Sequence, residues 1–123
     1  MTGLNLFEKA MEMLGYVNEE GLSGKDEMLK KALTLINNVY AELYYVWNNA
    51  NEKPFTPLKA INEALDLPDI VLHDIAPYGV AMYLAQSESD ADNQSLYASI
   101  YNQKKTRVIK ISSKHKLPHI WEW

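Results

Sequence analysis

No cysteine occurs among the 123 residues. Disulfides, thiolate metal sites and a cysteine nucleophile are thereby excluded, and the composition suits a reducing compartment. Long apolar runs are missing as well. Ile75 to Ala85, eleven residues without a charge, is about half of what a bilayer span requires. Near the start, Glu8 and Glu12 interrupt MTGLNLFEKAMEML where a signal peptide needs an unbroken apolar run. A soluble chain with no membrane partner is expected. There are no internal repeats and no low-complexity tracts. A length of 123 residues with 47% hydrophobic and 23% charged content suits one domain that buries most of its apolar surface.

Signatures of catalysis are equally scarce. No glycine-rich phosphate loop, nucleophile elbow or Glu-x-x-His pair occurs. No carboxylate lies within an apolar segment that would raise its pKa for acid–base work. His115 and His119 straddle Pro118, which denies them the helical spacing of a zinc pair. His73, beside Asp74 ahead of a helix start, reads as a capping or surface histidine. Glu88, Asp90 and Asp92 alternate as at the opening of a calcium loop. However, Asn93 stands where the glycine belongs and Ser99 where the bidentate glutamate belongs. An interhelical turn with a helix cap accounts for the same residues. No catalytic residue, metal ligand or cofactor is expected.

What the chain has in quantity is helical periodicity. Leu6, Ala10 and Leu14, flanked by Phe7, Met11 and Met13, predict a first helix over Asn5 to Leu14 ended by Gly15. A polar loop, NEEGLSG, follows. Ser23 or Asp26 then caps a long helix over about 25–49, whose Met28, Ala32, Leu35, Ile36, Val39, Tyr40, Leu43, Val46 and Trp47 recur at steps of three and four. Its stripe marks it as the scaffold of the domain. Its aromatic end, with Tyr44, Tyr45 and Trp47, exceeds what one stripe buries, so those rings either cover the next segment or face another subunit.

Short turns over Pro57 to Pro68 lead to a buried helix, with Asp69 or Asp74 as its cap and Pro77 in its first turn. Ala76, Gly79, Ala81 and Ala85 are small, so a partner helix can approach closely. Asp90 or Asp92 caps a last helix to about Arg107, with Leu96 and Ile100 on one edge of its stripe and Tyr97 and Tyr101 on the other. VIKIS, Val108 to Ser112, is β-branched and weakly alternating, which predicts a short strand or extended arm. The expected fold is all-α. It is a small bundle of about four helices in which a hairpin (about 74–107) packs on the long helix (about 25–49). In this reading residues 1–107 form the domain and 108–123 an extended C-terminal arm that can be removed without loss of the fold.

Charge divides along the same line. Residues 1–103 hold six Lys/Arg and fifteen Asp/Glu, and residues 104–123 hold six Lys/Arg and one Glu. These give −9 and +5. A basic tail can dock on an acidic face of its own or a neighbouring chain, touch nucleic acid, or simply be solvated. Phosphate contact needs only clustered cations, but no helix-turn-helix signature or stacking platform accompanies these. Lys104, Lys105 and Arg107 also suit a helix C-terminus on structural grounds alone. The candidate contact residues are Tyr44, Tyr45, Trp47, Tyr97, Tyr101, Lys104, Lys105, Arg107, Lys110, Trp121 and Trp123. The two tryptophans of LPHIWEW are expected to dock on the domain or on an adjacent copy.

The segment PYGVAMYLAQSESDADNQSLYASIYNQKK, residues 77–105, resembles the head–tail connector (adaptor, or head-completion) proteins of long-tailed bacteriophages and prophages. The resemblance rests on five features. A hydrophobic helix ends in the small step Leu84-Ala85, and a Glu-x-Asp turn follows at Glu88 to Asp90. A tyrosine helix ends in Tyr101 to Lys104. INNVYAEL (Ile36 to Leu43) and LDLPD (Leu65 to Asp69) are also similar. LPHIWEW falls outside the pattern. The resemblance implies a structural, non-enzymatic subunit, about twelve copies of which form a closed ring below the portal. Such a ring extends the DNA channel, lets DNA pass without sequence-specific binding, and docks the portal protein and another head-completion or tail protein. It implies assembly in the bacterial host cytoplasm and a final place in the virion neck. The alternatives are a small helical DNA-binding or regulatory protein using the basic segment, and a helical interaction domain of a bacterial regulator.

Overall fold

The computed structural model describes residues 1–16, 25–48 and 54–116 and is all-α. Its helices are α1 (Gly3–Leu14), α2 (Lys25–Asn48), α3 (Asp69–Asp74), α4 (Ala76–Ser87) and α5 (Ala91–Lys116). The charge-free stretch forms the centre. α4 packs against each of the other four helices, and Ala76, Pro77, Gly79, Val80, Ala81, Leu84 and Ala85 are all buried. A helix apolar all round belongs inside a bundle. The expected packing of the hairpin, α4 with α5, on the long α2 is present, but α4 and not α2 is the helix packed against all the others.

Cross-helix bonds fix the directions. Lys31 on α2 reaches Glu88 at the end of α4, whereas Glu42, eleven residues on, meets Tyr101 and Lys105 of α5. α2 therefore runs parallel to α5 and antiparallel to α4. On α1, Lys9 Nζ donates to the His73 carbonyl (3.2 Å), and further along the Met13 carbonyl accepts from Tyr97 (3.0 Å). α1 thus runs with α4. Leu6, Phe7, Ala10, Met11 and Leu14 of α1 and Ala32, Ile36, Val39, Tyr40, Leu43 and Tyr44 of α2 fill the core around it, at the steps of three and four that place side chains on one helical face.

The helix ends follow local chemistry. The Thr2 hydroxyl accepts from the Asn5 backbone N–H, and the Asn5 side chain accepts in return from the Thr2 N–H (both 3.1 Å). This reciprocal box starts α1 two residues earlier than expected. Gly15 closes it in the left-handed region (φ 72°), the conformation glycine adopts without steric cost. Pro77 sits in the first turn of α4, as expected, but neither Asp69 nor Asp74 caps that helix. Ile75 precedes it with no side-chain cap, and residues 69–74 form the separate short α3. Asp90 does precede α5: its carboxylate accepts from the Asn93 backbone N–H (3.4 Å) and side-chain amide (2.7 Å). The acidic run is an interhelical turn with a cap. Ser23 lies outside the described residues, and Asp26 falls inside α2.

Past Arg107 the chain departs from expectation. α5 continues through VIKIS to Lys116, so neither a strand nor an extended arm begins at Val108, and the expected division after residue 107 falls within a helix. Val108 is fully buried, seven residues after the equally buried Tyr101, and thus two turns further along one face. Extending a formed helix adds a hydrogen bond per residue ordered. That gain and the burial of Val108 outweigh a β preference that is strongly context-dependent.

Candidate functional site

Two polar junctions tie the helices together, and they absorb five of the eleven candidate contact residues. The first is centred on Glu42 of α2. Its Oε1 accepts from the Tyr101 hydroxyl at 2.8 Å, and its other oxygen accepts from the Tyr83 hydroxyl of α4. Lys105 Nζ approaches the same carboxylate at 3.7 Å and lies 4.7 Å from the centre of the Tyr101 ring. One carboxylate therefore links α2, α4 and α5 through charge-assisted bonds. Burial above all, then the Glu42 hydrogen bond and charge, pushes the Tyr83 hydroxyl up to about 12. Burial and the Glu42 charge push Tyr101 up further. Both phenols are thus neutral donors at physiological pH, and neither is activated as a base or nucleophile.

The second junction is centred on Asp74, at the end of α3. Lys104 Nζ lies 3.0 Å from Oδ1, and Arg107 3.6 Å from Oδ2. Lys104 also sits 4.9 Å from the centre of the Tyr78 ring, which is tilted against Tyr97 at 6.1 Å. At the other end of the hairpin, Tyr16 donates to Asp90 at 2.8 Å. Burial first and that hydrogen bond second push the Tyr16 hydroxyl up to about 12. Hydrogen bonds from Asn93, then Tyr16, hold the Asp90 carboxyl below its usual range.

This geometry corrects several expected contact residues. Tyr101 is fully buried and Tyr44 is 4% exposed, so neither ring meets another subunit. Tyr40, Tyr44 and Tyr45 gather around Phe55, with ring centres 5.0, 5.5 and 6.0 Å from it. The surplus aromatics of α2 therefore cover the next segment. Tyr97 is half-buried and bonded to α1. Lys104, Lys105 and Arg107 each face a carboxylate of their own chain. Tyr45 remains 46% exposed, and Trp47 is half-buried at the end of α2. Lys110 follows Arg107 on α5. Trp121 and Trp123, like His119, lie outside the described residues. His73 is exposed, and its carbonyl is the acceptor for Lys9.

The sequence pattern does not single out Glu42, Tyr78 or Tyr83 and offers Asp74 only as a helix cap, although these four organise both junctions. Glu42 carried a signal: it follows Val39 by three residues and precedes Leu43, at the edge of the buried stripe. Among the described residues no group of three or more His, Cys, Asp or Glu is placed to hold a metal ion. No helix among them is long and apolar enough to cross a membrane. No family model, curated protein or solved structure matches the chain.

Proposed function

We propose that this chain is a structural, non-enzymatic assembly subunit, a head–tail connector of a phage or prophage. In this reading its copies form a ring below the portal, extend the DNA channel and dock the next head-completion or tail protein. One observation carries the reading. The ionisable side chains that the helices bring together at Glu42 and Asp74 are bonded across helix junctions, as in a body built to keep its shape. Among the described residues, the large apolar side chains left in solvent, Tyr45, Ile70, Leu96 and Ile109, are scattered over α2, α3 and α5 and suit contacts with several neighbours. The resemblance of residues 77–105 to connector proteins supports the same reading.

Native mass spectrometry of the full chain over a concentration series, followed by electron microscopy of the largest species, tests it. Closed rings of uniform size are expected. A protein that stays a monomer or dimer and binds duplex DNA with an affinity falling steeply with salt contradicts the reading and favours a DNA-binding protein.

A further inference from the structure

The parallel course of α2 and α5 gives the bundle two electrically opposite ends. Past the Glu42 junction both helices continue towards their C-termini. There α5 carries Lys104, Lys105 and Arg107 and then Lys110, Lys114 and Lys116, with no acidic residue between them. Glu42 and Asp74, with exposed Asp66 beside Tyr40 and Asp69 at the start of α3, offset part of this charge, and Arg107 keeps 62% of its side chain in solvent. Tyr45 (46% exposed) and Ile109 (51%) stand at the same end, a few residues beyond Glu42 and Lys105. At the opposite end the α4–α5 turn meets the end of α1. Glu12, Glu88 and Asp92 are exposed there beside Asp90; of these, Glu88 pairs with Lys31. Leu96, 52% exposed, lies one turn into α5.

From this we infer that the basic end of one copy docks on the acidic end of the next, a heterologous head-to-tail contact in which Arg107 faces Glu88 and Asp92 while Tyr45 and Ile109 meet Leu96. The inference rests on the assembly reading and names the partner and the surface. Two different surfaces of one chain that complement each other propagate, either closing into a ring or extending as a filament. Opposite charge gives such a contact its orientation, and apolar side chains at its centre give it affinity. Duplex DNA also satisfies the cations, but it gives no role to exposed Tyr45 and Ile109 and none to the acidic end.

The test is a charge swap in the full chain, read by sedimentation velocity in about 50 mM and about 500 mM salt, where the screening length falls to a few ångströms. R107E/K110E puts carboxylates in place of two cations of the basic end, and E88K/D92K puts cations in place of two carboxylates of the acidic end. Each variant should remain a single chain where the wild type associates. An equimolar mixture of the two should associate again, because each still has one end that fits the other. Circular dichroism establishes that each variant is folded; if either is not, the single substitutions K110E and D92K replace them. Restored association in the mixture, weakened at high salt, is the expected result. Association that survives both swaps and high salt overturns the head-to-tail contact and leaves the assembly reading standing. A wild type that is monomeric throughout and shifts only with duplex DNA overturns both.

Discussion

Tyr101 lies directly on Gly79: a β-carbon at position 79 would come within 2.7 Å of two atoms of the tyrosine ring. The pair explains how α4 and α5 approach so closely and why the ring has no freedom. It is fully buried and its hydroxyl is tethered to Glu42. Gly79→Ala therefore sets two effects against each other. Helix propensity favours alanine by about 1 kcal/mol, whereas overpacking a fixed ring costs about 1–3 kcal/mol. The clash dominates because the ring cannot move aside. Urea unfolding should show a lower midpoint for the variant, and an equal or higher one would mean the hairpin is looser than this packing.

Removing the tyrosine hydroxyls tests the Glu42 junction. A hydrogen bond to a charged group contributes about 1.5–3 kcal/mol. Tyr101→Phe should lower stability within that range, and Tyr83→Phe by less because its ring is only partly buried. Both donate to one carboxylate, so the double variant should depart from the sum of the singles in a double-mutant cycle. Strict additivity would show the two bonds to be independent.

Alkaline pH acts on the same groups. In the folded chain Tyr83 and Tyr16 are pushed up to about 12, and Tyr101 is pushed up in the same direction, by burial first in each case. An unfolded tyrosine titrates near about 10. The folded values lie above the unfolded one, so the stabilisation is whole below about pH 10 and is lost as pH rises through about 12. Urea midpoints should be level up to about pH 9 and fall beyond about pH 10. Lysines titrate there too, so the decisive quantity is the difference between wild type and Tyr101→Phe, which should narrow as pH rises. A constant difference would contradict the assigned cause.

Truncation discriminates between an arm and a helix. An extended arm from residue 108 would be dispensable for folding. With Val108 fully buried on α5, a chain ending at Arg107 should lose about 1.5–3 kcal/mol from that side chain alone, and helix content with it. A chain ending at Lys116 should keep the fold of α1 to α5. Equal stability of the two truncated chains would restore the arm.

Much of the architecture was legible because its cause is periodic. The stripes of α1 and α2, the glycine after α1, the proline opening α4 and the cap at Asp90 all arise from local rules. Three features were not legible, each for a tertiary reason. VIKIS has a strand-like composition, but Val108 completes a buried face begun by Tyr101 two turns earlier. Tyr44 and Tyr101 read as surplus aromatics until Phe55 and Gly79 are brought against them by the fold. For the cations of α5 the sequence leaves an acidic face of the same chain, a neighbour, nucleic acid and solvent all open, until Asp74 and Glu42, which lie 30 and 63 residues from Lys104 and Lys105 in sequence, arrive beside them. The sequence pattern places these residues on their helices but could not show which side chains point inward.

The proposed role of this chain is to join virion parts. Its most direct test is to delete the chain alone from a bacterium that produces the phage and to image the particles released. The account predicts separate heads and tails, with joining restored when the chain is supplied again. Joined particles in normal numbers without it would contradict the account.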